Sequence, residues 1–257
     1  IRYDGAYLDE ETPLEGSFFW PSQWKLHVPF PLPENSAGDV LIPVDHEPPV
    51  IIIEEGIARL FLIDTALHDE TIELNIDSHF AFGDGRHPTT ELCINLLGKM
   101  IAPIPIEKRN SYALVDVGTG SGILAILARK CGIGRVDALD IVEDAVRCAK
   151  ANARLNKCHI NLQRCDVGTF SPELEYDIVA ANIVTDVFLK NIAPIARLIK
   201  PNGIMIASGI SCGSADIAGA CFREHGLSIQ ETLFWKGWMG FVLEKDGATV
   251  ERVSACG

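Results

Sequence analysis

A-L-V-D-V-G-T-G-S-G, residues 113–122, reads as a strand, a turn of three glycines and the start of a helix. A short apolar run bounded by glycines has the pattern of a parallel strand buried on both faces. Gly118, Gly120 and Gly122 remove the side chains that would keep a ligand off the backbone, and I-L-A-I-L-A-R-K after them has the apolar spacing of a helix packed on a sheet.

Outward from this loop, strands and helices alternate. Strands are expected at 113–117, 135–139, 160–164, 176–181, 203–208, 228–233 and 238–244, and helices at 123–131, 143–156, 187–198 and 215–224. The last two strands face each other across K-G as an antiparallel pair, and Pro201, Asn202 and Gly203 are expected to end a helix and turn into the next strand. The fold class is therefore α/β, with a Rossmann-like, seven-stranded, mostly parallel sheet carrying helices on both faces. Ahead of it, V-I-I-I-E-E-G, A-R-L-F-L-I-D and T-I-E-L-N-I-D read as a small antiparallel meander, preceded by a proline- and aromatic-rich arm up to about Asp45. Two regions follow: 1–75, the arm and small β region, and 76–257, the principal domain.

Ligands of open α/β sheets bind beyond the carboxyl ends of the strands. The strand-end polar residues are Asp116, Asp140, Asp166 and Asn182. Asp116, two residues before the first glycine, would repel a phosphate and attract a cationic amino group. Asp140 can accept hydrogen bonds from both hydroxyls of a ribose, and Asp166 one from an adenine amine. The spacing is G-x-G-x-G, not the G-x-G-x-x-G of dinucleotide folds. Together these features suit a nucleoside that carries an amino acid and no phosphate, which describes S-adenosyl-L-methionine better than NAD. Asn182, in A-A-N-I, can both donate and accept near a reacting centre.

A second informative stretch is F-A-F-G-D-G-R-H-P-T-T, residues 80–90, directly before the helical run E-L-C-I-N-L-L-G-K-M. Thr89 or Thr90 is expected to cap that helix. His87, alone before a proline, reads as a hydrogen-bonded loop residue ahead of a base.

The net charge of −13 argues against broad phosphate binding and points to a basic partner. Eight cysteines with no C-x-x-C pair read as free thiols in a reducing compartment, with no metal site. No 18-residue apolar run and no secretory signal is present, so a soluble, cytoplasmic protein with no membrane and no direct nucleic-acid contact is expected. The first residue is Ile1, which leaves room for natural sequence ahead of it.

Residues 80–90, L-V-D-V-G-T-G-S-G-I-L-A-I at 114–126, A-L-D-I at 138–141, A-K-A-N-A at 149–153 and D-I-V-A-A-N-I at 177–183 together resemble class I S-adenosylmethionine-dependent methyltransferases, most of all the PrmA-type enzymes that methylate ribosomal protein L11. The resemblance spans roughly 74–244. It implies that Thr90 contacts the cofactor, Gly118 lies against its methionine part, Gly120 is cofactor-binding as well, Asp140 holds the ribose and Asn182 sits beside the methyl donor as the catalytic residue. It also implies methylation of α-amines and lysine ε-amines of a ribosomal protein. The loop reads G-D-G-R-H where the family commonly has G-T-G-T-H, so Asp84 and Arg86 add charges, and residues 1–70 do not read as the family's compact recognition domain. A methyltransferase for a small molecule or another protein, and a non-catalytic nucleoside-binding protein, are the alternatives.

Overall fold

The computed structural model describes residues 50–54, 57–64, 70–77, 82–83 and 85–247. The proline- and aromatic-rich arm lies outside these residues. The described residues begin with β1 (Val50–Glu54), β2 (Ile57–Asp64) and β3 (Glu70–Asp77), an antiparallel sheet in that order, which is the expected meander. Then follow α1 (Pro88–Ile101), α2 (Ile106–Arg109), β4 (Ala113–Val117), α3 (Ile123–Lys130), β5 (Arg135–Asp140), α4 (Glu143–Leu155), β6 (Asn161–Arg164), β7 (Tyr176–Asn182), α5 (Thr185–Arg197), β8 (Ile199–Ser211), α6 (Ala215–Glu224), β9 (Leu227–Trp235) and β10 (Trp238–Lys245).

The seven strands of the large sheet run β6-β5-β4-β7-β8-β10-β9, and β10 is antiparallel to both its neighbours. Strand order reverses between β4 and β7, so the crevice opens where the glycine loop leaves β4. Alternate residues of each strand feed two apolar layers. Leu114, Ile178 and Ile206 pack under α1 and α3, whereas Val115, Val179 and Met205 pack under α5 and α6. All expected strands and helices of this domain are present. The stretch 201–203 departs from expectation: instead of a turn it is a bulge within β8, with Asn202 at φ 60° and the β7 pairing stepping from Ile199 to Ile204.

The small sheet is bound to the large one through β3. Ile72, Leu74 and Ile76 are buried in the same apolar layer as α1 and α3. The outer edge of β3 is paired by side chains from α4. Asn152 accepts from Asp77 N at 2.9 Å and donates to Asp77 O at 2.9 Å, and Asn156 accepts from Asn75 N at 2.9 Å and donates to Asn75 O at 2.7 Å. Residues two apart on a strand edge thus meet residues four apart on a helix face, and the two amides complete the ladder that an edge strand otherwise leaves open. A division of the chain at 75/76 falls inside β3.

Proline decides how α1 starts. Pro88 occupies its first position and holds His87 extended (φ −75°, ψ 136°), so the cap is His87, whose Nδ1 accepts from Thr89 N at 3.3 Å. The expectation of a threonine cap is corrected: Thr89 and Thr90 lie within the first turn, both buried. Among the described residues no helix is long and apolar enough to cross a membrane.

Candidate cofactor site

The loop after β4 turns back through three left-handed glycines. At Gly118 (φ 72°) a Cβ would stand 2.4 Å from Ile183 Cγ2, and at Gly120 (φ 55°) it would stand 2.6 Å from the Phe82 carbonyl oxygen. A side chain is therefore excluded twice over, by conformation and by space. The loop is held from both sides. Gly118 N and Thr119 N donate to Leu139 O, and Ser121 N donates to Phe82 O at 3.0 Å, so the 82–83 segment lies directly on the glycines.

Asp140 ends β5 with both oxygens committed to backbone amides: Oδ2 accepts from Gly120 N at 3.0 Å and Oδ1 from Val142 N at 2.9 Å. Each oxygen keeps a further lone pair, and Asp140 faces the crevice, so two ligand hydroxyls can still be accepted. Asp166, after β6, is exposed and turns its own loop by accepting from Gly168 N at 2.8 Å.

Asn182, at the end of β7, donates from Nδ2 to Thr90 Oγ1 at 3.3 Å. That bond fixes the amide's orientation and leaves Oδ1 as an acceptor. A cavity of about 520 Å³ runs along these strand ends, bringing together Gly118, Gly120, Asp140, Asp166 and Asn182. Its size is that of a small-molecule site.

Two expected residues are placed otherwise. Thr90 lies behind Asn182, and Thr89 takes the position on the cavity wall. Asp116 is only 1 % exposed and sits beneath the glycine loop, where Thr119 Oγ1 donates to it at 2.6 Å. It supports the loop from below and does not face a ligand amine. Burial, with the Asp140 charge adding, pushes its carboxyl from 3.8 up to about 6, against the Thr119 hydroxyl and the Ala125 amide.

The folded protein thus holds this proton more tightly than the unfolded chain. The resulting stability is complete below about pH 3.8 and disappears as pH rises through about 6. Asp116→Asn, which cannot titrate, is expected to gain on the wild type by on the order of 3 kcal/mol between about pH 4 and pH 7, at about 1.4 kcal/mol per unit over roughly two units. Urea midpoints across that range check it; a difference flat in pH contradicts it.

Residues with no signal in the strand-and-glycine pattern complete the cavity. Gly209 (φ 81°) lets β8 pass Ile183, whose carbonyl oxygen would lie 2.1 Å from a Cβ. His87 stacks edge-on between Phe82 and Trp238, with ring centroids at 5.0 and 5.3 Å. Trp238 arrives because β10 inserts between β8 and β9. Position 84 lies outside the described residues, and Arg86 is exposed.

Residues 56–246 match the model of a protein family described as ribosomal protein L11 methyltransferase (PrmA). The chain belongs to the PrmA family. Relatives within it include the ribosomal protein L11 methyltransferase of Dictyoglomus thermophilum, 37% identical over 180 residues, covering 70% of this chain and 56% of that protein. The corresponding protein of Brevibacillus brevis is 38% identical over 180 residues, covering 69% and 55%. A solved structure of the ribosomal protein L11 methylase of Lactobacillus delbrueckii subsp. bulgaricus superposes with a TM-score of 0.57 at 29% identity, covering 66% of this chain and 84% of that one. The PrmA resemblance carried by 80–90 and 114–126 and the Rossmann-like fold are both borne out. This chain spans about half the length of the curated relatives it matches, at 56% and 55% for the two named.

Proposed function

We propose that the chain is the catalytic part of an S-adenosylmethionine-dependent methyltransferase acting on amines of ribosomal protein L11. The observation that carries this reading is the row of Asp140, the glycine loop and Asn182 along one cavity at the strand-order switch. The cavity fits the cofactor: two positions where a Cβ would collide with protein, a carboxylate with lone pairs to spare, and apolar Ile141, Val142 and Val167 to flank a base. Among the described residues its lining includes Asp140 and Asp166 and neither arginine nor lysine, which suits a cationic nucleoside without phosphate. The names of the relatives supply the acceptor, and the acidic chain (net charge −13) suits a basic one. With such an acceptor the protein is expected to work in the cytoplasm, and its acidic charge is what supports the expectation of no direct nucleic-acid contact.

When bound, the cofactor supplies an electrophilic methyl group on a sulfonium. The chain's own residues then have to hold an amine lone pair in line, at about 3 to 3.5 Å. Amines are mostly protonated near neutral pH, with reference values of about 7.7 to 8.0 for α-amines and about 10.4 for lysine. The apolar walls of Val184, Val187 and Trp238 disfavour the charged form and help release that proton to water. Asn182 Oδ1, set by the bond from Nδ2 to Thr90, accepts an N–H of the neutral amine and aims its lone pair along the cavity. No single side chain has to act as base.

Radiolabelled cofactor incubated with methylation-deficient ribosomes is expected to label ribosomal protein L11. Label on a different ribosomal protein would refute the acceptor. Cofactor bound with no label transferred to any protein or small molecule would refute the enzyme.

A further inference from the structure

The first turn of α1 reaches two parts of the cavity and the hairpin beside it. His87 caps it and stacks on Trp238, and Thr90 accepts from Asn182. In the same turn, Glu91 Oε2 accepts from the indole Nε1 of Trp235 at 2.7 Å. Trp235 and Trp238 flank the two-residue turn Lys236–Gly237, whose φ values of 45° and 83° make the tight reversal from β9 into β10. The Lys236 ammonium lies 5.0 Å over the Trp235 ring. Burial raises the Glu91 carboxyl above its ordinary range, against Lys236 and the Trp235 N–H. The Trp235–Glu91 bond is half-buried, and a bond to a charged group there is stronger than one in open water.

Along the rim the order is Asp166 after β6, Asp140 on β5, Gly118 after β4, Asn182 on β7, Gly209 on β8 and Trp238 on β10. Trp238 stands four strands from Asp140, roughly 19 Å away at about 4.8 Å per strand. A nucleoside held at Asp140 leaves the far end, beyond Asn182, to the incoming amine.

We propose that the 235–238 hairpin tip is the acceptor-side wall of the cavity, and that Glu91 and Trp235 are positioning residues whose hydrogen bond sets the distance between Trp238 and Asn182. That distance decides how readily an unbranched alkyl amine enters, and how many methyl groups its nitrogen carries before it no longer fits. This rests on the amine-methyltransferase reading. It goes further in assigning acceptor selection to residues outside the cavity lining.

The test uses the full chain with unmethylated ribosomal protein L11 and S-adenosylmethionine. Trp235→Phe and Glu91→Ala are each expected to raise the acceptor KM about tenfold, the scale of one hydrogen bond to a charged group. They are also expected to shift the proportions of mono-, di- and trimethylated product, with cofactor Kd unchanged. Glu91→Gln keeps an accepting oxygen and is expected to restore the wild-type KM within about threefold. An unchanged acceptor KM in both disrupting variants overturns the proposal, and so does an equal loss of cofactor binding and thermal stability in all three. A readout without turnover keeps the two readings separate. With fluorotryptophan incorporated, the Trp238 resonance, assigned through Trp238→Phe, is expected to move in Glu91→Ala and stay in place in Glu91→Gln. A Trp238 signal that does not move in Glu91→Ala overturns the tether whether or not any acceptor is methylated, whereas methylation failing in the wild type overturns the function alone.

Discussion

Asp140→Ala is expected to weaken S-adenosylmethionine binding by about 100-fold or more in calorimetry. Asp140 organises the site twice. Its oxygens accept from Gly120 N and Val142 N, pinning the glycine loop to the segment after β5, and the same oxygens are proposed to hold the ribose hydroxyls. Two hydrogen bonds to a charged group, at about 1.5 kcal/mol each as a low figure, give about 3 kcal/mol, and 1.4 kcal/mol is tenfold. Loss of the two backbone partners adds to this through a less ordered loop. Asp166→Ala is the matched control. That carboxylate is exposed and spends one oxygen on its own turn, so about threefold is expected. Binding by Asp140→Ala at wild-type strength would remove the nucleoside from this cavity.

The second large effect is on turnover. Asn182→Ala is expected to lower kcat by about 100- to 1000-fold, the scale of losing one preorganised polar partner at a reacting centre, while cofactor Kd changes by no more than about threefold. Single-turnover transfer at saturating cofactor and acceptor measures this without interference from product release. Thr90→Val is expected to cost about tenfold, because the amide keeps its atoms and loses only the bond that fixes its orientation. His87→Ala is expected to cost less than Asn182→Ala, since His87 caps α1 and packs on aromatic rings. A loss at His87 equal to that at Asn182, with cofactor binding intact, would make the imidazole a base and refute the desolvation mechanism.

The parts of this molecule that could be read from its residues are those governed by local rules. β4, the glycine loop and α3 follow from an apolar run, three glycines and a helical period, and Asp140 and Asn182 follow from standing at strand ends. What escaped depends on long-range placement. Asp116 is the last residue but one of β4 and pairs with Ala138, two residues short of Asp140 on β5, so it is sealed under the loop. The register between neighbouring strands decides which carboxylate reaches the rim, and the residues of one strand alone do not encode it. Threonine is the better helix cap by general preference, and Pro88 overrides that by fixing the conformation of its predecessor, His87. Trp238 could be assigned to a hairpin. That the hairpin's second strand slots against β8, and so delivers the indole to the cavity, is a property of strand order, which alternation of apolar residues does not encode.

The amides of Asn152 and Asn156 have a consequence for how this protein could be trimmed or recombined. They imitate a missing neighbour strand, so stripping away the meander would take the backbone partners from both carboxamide oxygens, leave Asn152 bonded to Ser121 O and Asn156 to Asn152 O, and lay bare the isoleucine and leucine side of α3. A cut placed at 76 falls inside β3, whose apolar side is buried with α1 and α3. Any exchange of the leading segment between relatives has to carry residues 70–77 along with the sheet they seal.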